Sequence, residues 1–539
     1  MGLKYSQFRL QKQWLIYALA CVVALGVLLR LSNLDQKPYW FDETYSLLRV
    51  SGYSEKEVMQ ALFTGEPIKA GDFLKYQSPA SEKSAASTIV GLAQEEPQLP
   101  PLYFLLAKGW ASGFGSSKLA MRGLSAIVSL LSFPALYWLC LELFAAPLVG
   151  WMAMALFAVS PIGLRYAQEI RQYSLWMALI LCASALLLRA IRRPTTLNWG
   201  LYTAAIGVAL YTHLLSGLVI LAHGVYVLAI ASLATTSGRR LRFNKPLIGY
   251  GCSVCISLLC FLPWLWMVVV NRVAVARMTA WAALPLSLSE LVQGAGASLC
   301  HAFIAWHLRY HGFLIYSSIP IFALILYASY FLYRYTPMRI WIFILSLISV
   351  TVLPFLLADL CLGGRRMFSE RYFFACYVAI YLAVAYLVVS KITDRSAPFQ
   401  ARLWSLLTAL LLSGGILSCV MGSFGKTWWG WSEFDQEIPA IVQKSSHPLV
   451  ISDMPLGMVM PLARELPPDV EMMLFSGSPQ QVDRLKLPDG FSDFFLYLPS
   501  DRLLAAVRQN NATDLVYFFR DPATTNQFSF YQVKQGDAS

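Results

Sequence analysis

The residues best suited to chemistry are two adjacent carboxylates, Asp42 and Glu43, set among four aromatic side chains in segment 38–45, PYWFDETY. This segment lies just past an apolar run, residues 14–31, that is long enough to cross a membrane. Ionisable groups at a membrane edge are costly and tend to mark functional sites. The alternative is an interfacial aromatic belt with two ordinary solvated acids. A carboxylate held near an aromatic wall can accept a proton from an attacking hydroxyl, so the pair supplies a candidate general base.

Two other segments combine guanidinium, phenol and carboxylate groups: residues 165–173, RYAQEIRQY, and residues 363–372, GGRRMFSERY. A guanidinium suits phosphate oxygens because its planar fork forms paired hydrogen bonds and stays charged when partly desolvated. The predicted ligands of a phosphate-linked substrate are Arg165, Tyr166, Glu169, Arg171, Tyr173, Arg371 and Tyr372. Carboxylates and phosphate-binding arginines at the depth of the lipid headgroups together favour transfer of a group from a lipid phosphate.

These segments also have simpler interpretations. A Glu169–Arg171 ion pair could merely tie a short loop, since exposed pairs of this kind contribute only ~0–1 kcal/mol. Arg371 and Tyr372 could be an interfacial anchor.

Three histidines, at positions 301, 307 and 311, are candidate metal ligands. Their spacing does not place all three on one helical face, which argues against a common metal ion. We therefore predict no cofactor and no metal site, with a divalent metal as the weaker alternative.

The composition indicates a polytopic membrane protein. Of 539 residues, 57% are hydrophobic and 13% are charged, against roughly 25% charged residues in soluble proteins; the mean hydropathy is +0.55. The formal net charge of +12 comes from short basic clusters between apolar runs. That placement is typical of cytoplasmic loops facing anionic lipid, and it argues against nucleic acid as a partner.

Because a spanning helix needs ~20 apolar residues, the sequence predicts about eleven spans. They cover residues 14–33, 119–141, 148–164, 174–191, 197–212, 214–232, 247–270, 313–332, 340–360, 372–390 and 402–422. With a cytoplasmic N-terminus, the basic clusters at 189–193, 239–245, 334–339 and 391–402 all fall on the cytoplasmic side, as the positive-inside rule requires. We predict an integral protein of the inner or plasma membrane.

Two domains follow from this pattern. Residues 1–422 form a transmembrane catalytic domain whose outer loop, 34–118, carries the acid pair and juxtamembrane amphipathic helices. From residue 423 to 539, short β-like runs (449–451, 494–498, 515–519) alternate with helical stretches (434–444, 501–509). This alternation predicts a small extracytoplasmic α/β domain.

The order of the motifs resembles that of the GT-C membrane glycosyltransferases. Asp42-Glu43 follows the first span, QLPPLY occupies 98–103, Phe114-Gly115 precedes RGLS at 122–125, and Ser160-Pro161 leads into 166–173. Among these enzymes, the sequence most resembles the family 39 group, which includes protein O-mannosyltransferases and the aminoarabinose transferase of lipid A. One position differs: Leu99 stands where family members often carry histidine.

The resemblance implies a polyprenyl-phosphate-linked sugar as donor, a lipid, polysaccharide or protein as extracytoplasmic acceptor, and inversion at the anomeric carbon. Asp42 would be the general base, with Glu43 assisting or holding the acceptor; because the two are adjacent, their roles could be exchanged. Arg371 and the basic residues of 165–171 would hold the donor phosphate. The alternative is a lipid-linked sugar flippase or transporter without transferase chemistry, against which the sequence shows no inverted repeat.

Overall fold

The computed structural model of the chain describes residues 2–236, 240–305, 311–428, 433–476, 479–482, 485–520 and 527–534. Within these ranges, the structure describes only the backbone of residues 2–12, 233–236, 240–244, 311–315, 317, 433 and 479–480.

Helices make up most of the described chain. The α-helices are α1 (Gly2–Leu31), α2 (Phe41–Ser51), α3 (Glu55–Leu62), α4 (Ala85–Glu95), α5 (Leu102–Phe114), α6 (Lys118–Ser129), α7 (Ser132–Phe144), α8 (Pro147–Ala158), α9 (Pro161–Ala167), α10 (Tyr173–Arg192), α11 (Thr196–Thr212), α12 (Ser216–Thr236), α13 (Arg240–Val270), α14 (Arg272–Thr279), α15 (Leu288–Cys300), α16 (His311–Tyr335), α17 (Met338–Leu362), α18 (Phe374–Ile392), α19 (Pro398–Phe424), α20 (Glu433–Val442), α21 (Leu456–Glu465), α22 (Pro479–Val482) and α23 (Asp501–Arg508). Short 3-10 helices occur at Ala70–Gln77, Ala280–Ala283, Arg366–Phe368 and Glu370–Phe373. The strands are β1 (Thr64–Lys69), β2 (Pro448–Ser452), β3 (Glu471–Phe475), β4 (Asp493–Tyr497), β5 (Ala512–Arg520) and β6 (Gln527–Lys534).

Seven helical segments in the described part of the chain are long and apolar enough to cross a membrane. They are Gln13–Leu31, Lys118–Phe144, Tyr173–Arg192, Lys245–Val270, Met338–Leu362, Glu370–Ile392 and Pro398–Phe424. The bent pair α8–α9 passes the same test when its two helices are taken together. Each of the eleven predicted spans lies on one helix or on two consecutive helices. The count of eleven stays a prediction, because α11 has only 17 residues and the apolar part of α12 is similarly short.

The chain forms two compact units. The membrane unit comprises Met1–Ser32, Glu96–Tyr103 and Ser125–Phe424. The sheet unit comprises Asn33–Glu95, Phe104–Leu124 and Gly425–Ser539. Much of the first predicted outer loop therefore clusters with the C-terminal residues, while the domain boundary at 422 stays a prediction.

In the membrane unit, the chain bends sharply between α8 and α9, just before the first arginine-rich segment. Helices α8 and α9 meet at a bend of 67°. Pro161 has no N–H to continue the α8 ladder, but its fixed backbone angle suits the first position of a new helix. Ser160 caps that helix, its hydroxyl accepting from the Gly163 N–H at 3.3 Å.

Two side chains connect this break to α1. The buried Arg30 guanidinium donates to the last two carbonyl oxygens of α8, at 2.9 and 2.7 Å. In return, Gln168 Nε2 donates to the carbonyl oxygens of Leu29 and Ser32, at 2.9 and 2.8 Å. Each side chain satisfies carbonyl groups that a helix end leaves without partners. The clamp fixes the direction in which α9 carries the chain toward residues 165–173.

The sheet unit is built on one six-stranded sheet, in the order β1-β3-β2-β4-β6-β5. The central strand β2 runs parallel to β3 and β4, with Val450 opposite both Met472 and Phe495. β6 pairs antiparallel with β4 and β5. The small C-terminal α/β domain predicted from the sequence is thereby confirmed.

The first outer loop contributes the edge strand β1 to this sheet. β1 pairs antiparallel with β3, from Thr64 opposite Phe475 to Lys69 opposite Glu471. The sequence did not predict this strand.

Helix α2, which carries the acid pair, is held by the core of the sheet unit. Tyr45 and Leu48, three residues apart on one face, are buried in a cluster with residues of α21, β2 and β3. Gly52 ends the helix at a φ of 93°, a left-handed conformation that favours glycine, and its N–H donates to the Leu48 carbonyl. Packing on one face and a defined end fix the position of the N-terminal turn.

Candidate functional site

Asp42 and Glu43 lie in the first turn of α2, and both are buried, at 8% and 2% exposure. Glu43 caps its own helix, because its Oε2 accepts from the Trp40 N–H at 3.3 Å. The Ser46 hydroxyl donates to the Asp42 carbonyl oxygen at 3.0 Å. Unpaired N–H groups and the helix dipole favour negative charge in this turn. The two acids therefore share a helix end that stabilises carboxylates.

Arg122 distinguishes the two acids. Its Nε and Nη2 donate to Glu43 Oε1 and Oε2, at 2.8 and 2.6 Å. The same guanidinium donates to the carbonyl oxygens of Leu34, Lys37 and Pro38, at 2.9, 3.0 and 2.9 Å. These paired hydrogen bonds fix both oxygens of the Glu43 carboxylate in position. Glu43 is thus a structural partner of Arg122.

Tyr39, one residue before Trp40, is buried beside a second arginine. Arg464 Nη2 donates to the Tyr39 hydroxyl at 3.2 Å, and the Tyr39 N–H donates to Glu465 Oε1 at 3.2 Å. Burial raises the pKa of Tyr39 and outweighs the opposing charge of Arg464. Tyr39 therefore stays a neutral phenol at physiological pH.

Lys37 completes this part of the sheet unit. Its ammonium lies 4.6 Å from the centre of the Trp428 ring. Burial, together with the charge of Arg122, lowers the pKa of Lys37 to about 8. At neutral pH most Lys37 side chains are therefore still protonated, but this lysine loses its charge more easily than an exposed one.

In the membrane unit, the first arginine-rich segment meets the second through one ionic cluster. Arg165 Nη1 lies 3.5 Å from Glu370 Oε2, and Arg165 Nε lies 3.9 Å from Glu169 Oε2. Glu370 Oε1 is hydrogen-bonded to His301 Nδ1. The backbone supports this contact, since the Ile162 N–H donates to the His301 carbonyl oxygen at 3.1 Å. Two carboxylates therefore offset the charge of Arg165. This arginine is better suited to holding the two arginine-rich segments together than to binding an anion.

Tyr166 and Tyr173 form a buried aromatic group. Their ring centres lie 5.0 Å apart in an edge-on arrangement, and both rings contact Phe374 edge-on, at 5.1 and 5.8 Å. A small cavity of about 20 Å³ opens beside them, with Ser132 and Tyr381 also in its wall. Its volume suits a single water molecule. The two tyrosines form part of the packed wall in this unit.

The remaining predicted residues lie around the ends of α9 and α17. Arg171 is 5% exposed, and its N–H donates to the Glu169 carbonyl oxygen at 2.7 Å. The Tyr372 ring stacks on Phe355 with 5.2 Å between centres. Arg371 precedes it in the 3-10 helix Glu370–Phe373.

The structure thus places Asp42 and Glu43 in the sheet unit and the seven predicted phosphate ligands in the membrane unit. It joins Arg165 and Glu169 in one cluster, and it joins Tyr166 to Tyr173. Sequence reasoning assigned no role to Arg122, Glu370 or the contact between Glu370 and His301. The sequence does offer an indication for Glu370, because this residue directly precedes Arg371, one of the predicted ligands.

Among the described residues, no three histidine, cysteine, aspartate or glutamate side chains are grouped so that they could hold a metal ion. Of the three histidines considered from the sequence, His307 lies outside the described residues, as does the side chain of His311. The absence of a cofactor stays a prediction.

A family model described as dolichyl-phosphate-mannose-protein mannosyltransferase matches residues 98–267. No curated protein matches the chain. Among solved structures, the crystal structure of ArnT from Cupriavidus metallidurans bound to undecaprenyl phosphate aligns with a TM-score of 0.53 at 12% identity, covering 96% of this chain and 98% of ArnT.

Two further structures align less well. ArnT from the same organism in the apo state gives a TM-score of 0.49 at 14% identity, covering 95% of this chain and 97% of ArnT. The oligosaccharyltransferase AglB from Archaeoglobus fulgidus, in complex with an inhibitory peptide and a dolichol-phosphate, also gives 0.49 at 14% identity, covering 96% of this chain and 74% of AglB.

The fold is therefore of the GT-C type, and the chain is an integral membrane protein. The match to the mannosyltransferase model, together with the likeness to ArnT over nearly the whole of both chains, confirms the predicted resemblance to GT-C glycosyltransferases of the family 39 kind.

Proposed function

We propose that the protein is an inverting glycosyltransferase that moves a sugar from a polyprenyl-phosphate carrier to an extracytoplasmic acceptor. The observation that carries this proposal is the difference between two adjacent buried carboxylates: Glu43 is bound bidentately by Arg122, whereas Asp42 occupies the same helix turn without being part of that pair. When two neighbouring acids lie in different surroundings, they commonly have different roles in an active site.

Asp42 is the proposed general base. The acceptor hydroxyl attacks the anomeric carbon while Asp42 takes its proton. As the new C–O bond forms, the bond from the anomeric carbon to the phosphate oxygen breaks and the polyprenyl phosphate leaves. A phosphate needs no strong general acid as it departs, so one base and cationic groups that stabilise the leaving charge are sufficient.

The donor phosphate is the proposed ligand of Arg371 and Arg171. A guanidinium fork matches phosphate oxygens and stays charged when partly buried. Arg165, which contacts both Glu169 and Glu370, would shape this region together with Glu169. Tyr166, Tyr173 and Tyr372 would supply its aromatic wall.

The class of donor is supported by the comparisons. The mannosyltransferase family is described by a dolichyl-phosphate-linked sugar, and the ArnT structure holds undecaprenyl phosphate. Both compounds are polyprenyl phosphates, and we propose the same class here. We also propose a cytoplasmic N-terminus and an extracytoplasmic sheet unit, as the positions of the basic clusters predict.

The test is turnover of undecaprenyl-phosphate sugars by the purified full-length protein in detergent, with mannose and aminoarabinose as the first sugars. Only a transferase, and not a flippase, releases free undecaprenyl phosphate in the presence of an acceptor. Asp42→Asn is nearly isosteric but cannot take a proton from a hydroxyl, so we expect turnover to fall by roughly 10²–10⁴-fold.

Two controls accompany this variant. Glu43→Gln should affect folding stability more than the chemical step, because Glu43 is the partner of Arg122. Asp35→Asn removes an exposed carboxylate from the same loop and should leave turnover unchanged. Near-normal turnover by correctly folded Asp42→Asn would exclude Asp42 as the base.

A further inference from the structure

Trp281 lies against Arg371, although the two residues are far apart in sequence. Trp281 belongs to the 3-10 helix Ala280–Ala283, and Arg371 belongs to the 3-10 helix Glu370–Phe373. The Arg371 guanidinium carbon is 5.3 Å from the centre of the Trp281 ring. That distance falls within the range of about 6 Å at which an indole face attracts a cation.

The backbone holds the two elements in register. The Arg365 N–H donates to the Ala282 carbonyl oxygen at 3.0 Å, and Arg365 Nε donates to the Trp281 carbonyl oxygen at 2.9 Å. Gly364 permits this close approach: its φ is 141°, and a Cβ there would lie 2.7 Å from the Ala282 carbonyl oxygen. The Trp281 ring is therefore carried by a segment that is fixed to the loop leading to Arg371.

The far side of this loop is fixed as well. Asp359, buried at the end of α17, accepts from Arg366 Nη1 and from the Met367 N–H, both at 2.8 Å. Residues 365 to 367 are therefore held from both sides, close to where the 3-10 helix that carries Arg371 begins. The neighbouring Tyr372 ring, which is stacked on Phe355, has its centre 6.0 Å from the same guanidinium carbon, so Trp281 is the nearer of the two rings.

We propose that Trp281 is a positioning residue for the anionic end of the donor, acting through Arg371. An aromatic face contacts the flat side of a guanidinium, whereas phosphate oxygens bind along its N–H edge. A planar fork that is already oriented loses less freedom when it binds phosphate oxygens in pairs. The ligand class is a polyprenyl phosphate, so this inference rests on the proposed function.

The experiment measures the affinity of the purified full-length protein for radiolabelled undecaprenyl phosphate in detergent. Trp281→Leu removes the ring and should weaken binding by about 3- to 30-fold, the range expected for losing a cation–π contact. Trp281→Phe keeps a ring in place and should retain most of the affinity. Trp266→Leu, at a tryptophan of α13 that is 63% exposed, is the matched control and should bind normally.

A double-variant cycle separates positioning from general packing. If Trp281 acts through Arg371, then Trp281→Leu should have little further effect in the Arg371→Ala background. An equal loss in both backgrounds, or unchanged affinity of folded Trp281→Leu, would overturn the positioning role. Failure of the wild-type protein to bind undecaprenyl phosphate would instead overturn the proposed function, so the two failures are distinguishable.

Discussion

At the scale of single residues, Arg122 explains why two adjacent acids are not equivalent. Its guanidinium joins Glu43 to three backbone carbonyl groups of the segment that leads into α2. A single side chain thus sets the path of residues 34–43 and neutralises one of the two charges. Asp42 is positioned as a consequence, because it directly precedes Glu43 in the same helix turn.

We expect Arg122→Met to destabilise the folded protein by about 3–5 kcal/mol, because Glu43 would remain as a buried charge without its main partner. Thermal unfolding of the full-length protein in detergent measures this. Combining Arg122→Met with Glu43→Gln should recover much of the loss, since the stranded charge is then absent. A double variant no more stable than Arg122→Met would show that the carbonyl contacts dominate.

At the scale of elements, the hydropathy pattern located the membrane helices well, because a span must be both long and apolar. It did not show that the third predicted span is two helices at 67°. The Ser160-Pro161 pair marks the break, but the bend also depends on Arg30 and Gln168, which act across elements distant in sequence. Such partners cannot be read from a local pattern.

The strands of the sheet were also only partly predictable from local sequence patterns. β2, β4 and β5 coincide with apolar runs, and all three were predicted. β1 has the sequence TGEPIK, with glycine and proline and no alternation, so only its pairing with β3 makes it a strand. In the site, residue types indicated acids and arginines, whereas the pairing of Glu43 with Arg122 and of Arg165 with Glu370 required the fold.

The clamp at the broken span leads to a prediction about α9. Arg30→Met should leave the last two carbonyl groups of α8 without their charged donor, and each such hydrogen bond contributes about 1.5–3 kcal/mol. We expect a lower unfolding temperature for this variant and faster hydrogen exchange in residues 160–170. Gln168→Leu should have a smaller effect of the same kind, because its amide is neutral.

The exposed Ser405 of α19, whose hydroxyl only bonds its own helix, provides the control for this pair. Ser405→Ala should leave both measurements unchanged. If Arg30→Met leaves hydrogen exchange in 160–170 unaltered, the bend is set by Pro161 alone.

At the scale of the whole molecule, stability should depend on pH through Asp435. The Tyr497 hydroxyl donates to Asp435 Oδ1 at 2.8 Å, and burial raises the pKa of Asp435 to about 7. Because the folded state holds this proton more tightly than the unfolded state, the sheet unit should lose stability as pH rises from about 4 to 7 and change little above that. The loss should be on the order of 4 kcal/mol.

Hydrogen exchange of β4 in the full-length protein at pH 5 and pH 8, corrected for the intrinsic exchange rate, measures this dependence. Asp435→Asn keeps an oxygen for the Tyr497 hydroxyl but cannot ionise, so the difference between the two pH values should shrink in this variant. An unchanged difference would assign the pH dependence to other groups.

The orientation in the membrane can be tested with an impermeant thiol reagent on single-cysteine variants in a cysteine-free background. Arg193→Cys and Asp489→Cys are both at exposed positions. The positive-inside rule predicts labelling at 489 in intact cells and at 193 only after permeabilisation. The reverse pattern would invert the proposed topology.

The pairing of β1 with β3 also constrains how the chain is made. Thr64 finds its partner Phe475 only after nearly all of the membrane helices have been synthesised and inserted. Until then, α2 lacks the α21 and β3 residues that surround Tyr45 and Leu48, so the turn that bears Asp42 is not yet held in place. The waiting strand is short and contains Pro67, features that discourage edge-to-edge association with other chains. A nascent or prematurely terminated chain that lacks residues 456–475 would therefore occupy the membrane without a functional acid site, and activity would begin only after these residues have been synthesised.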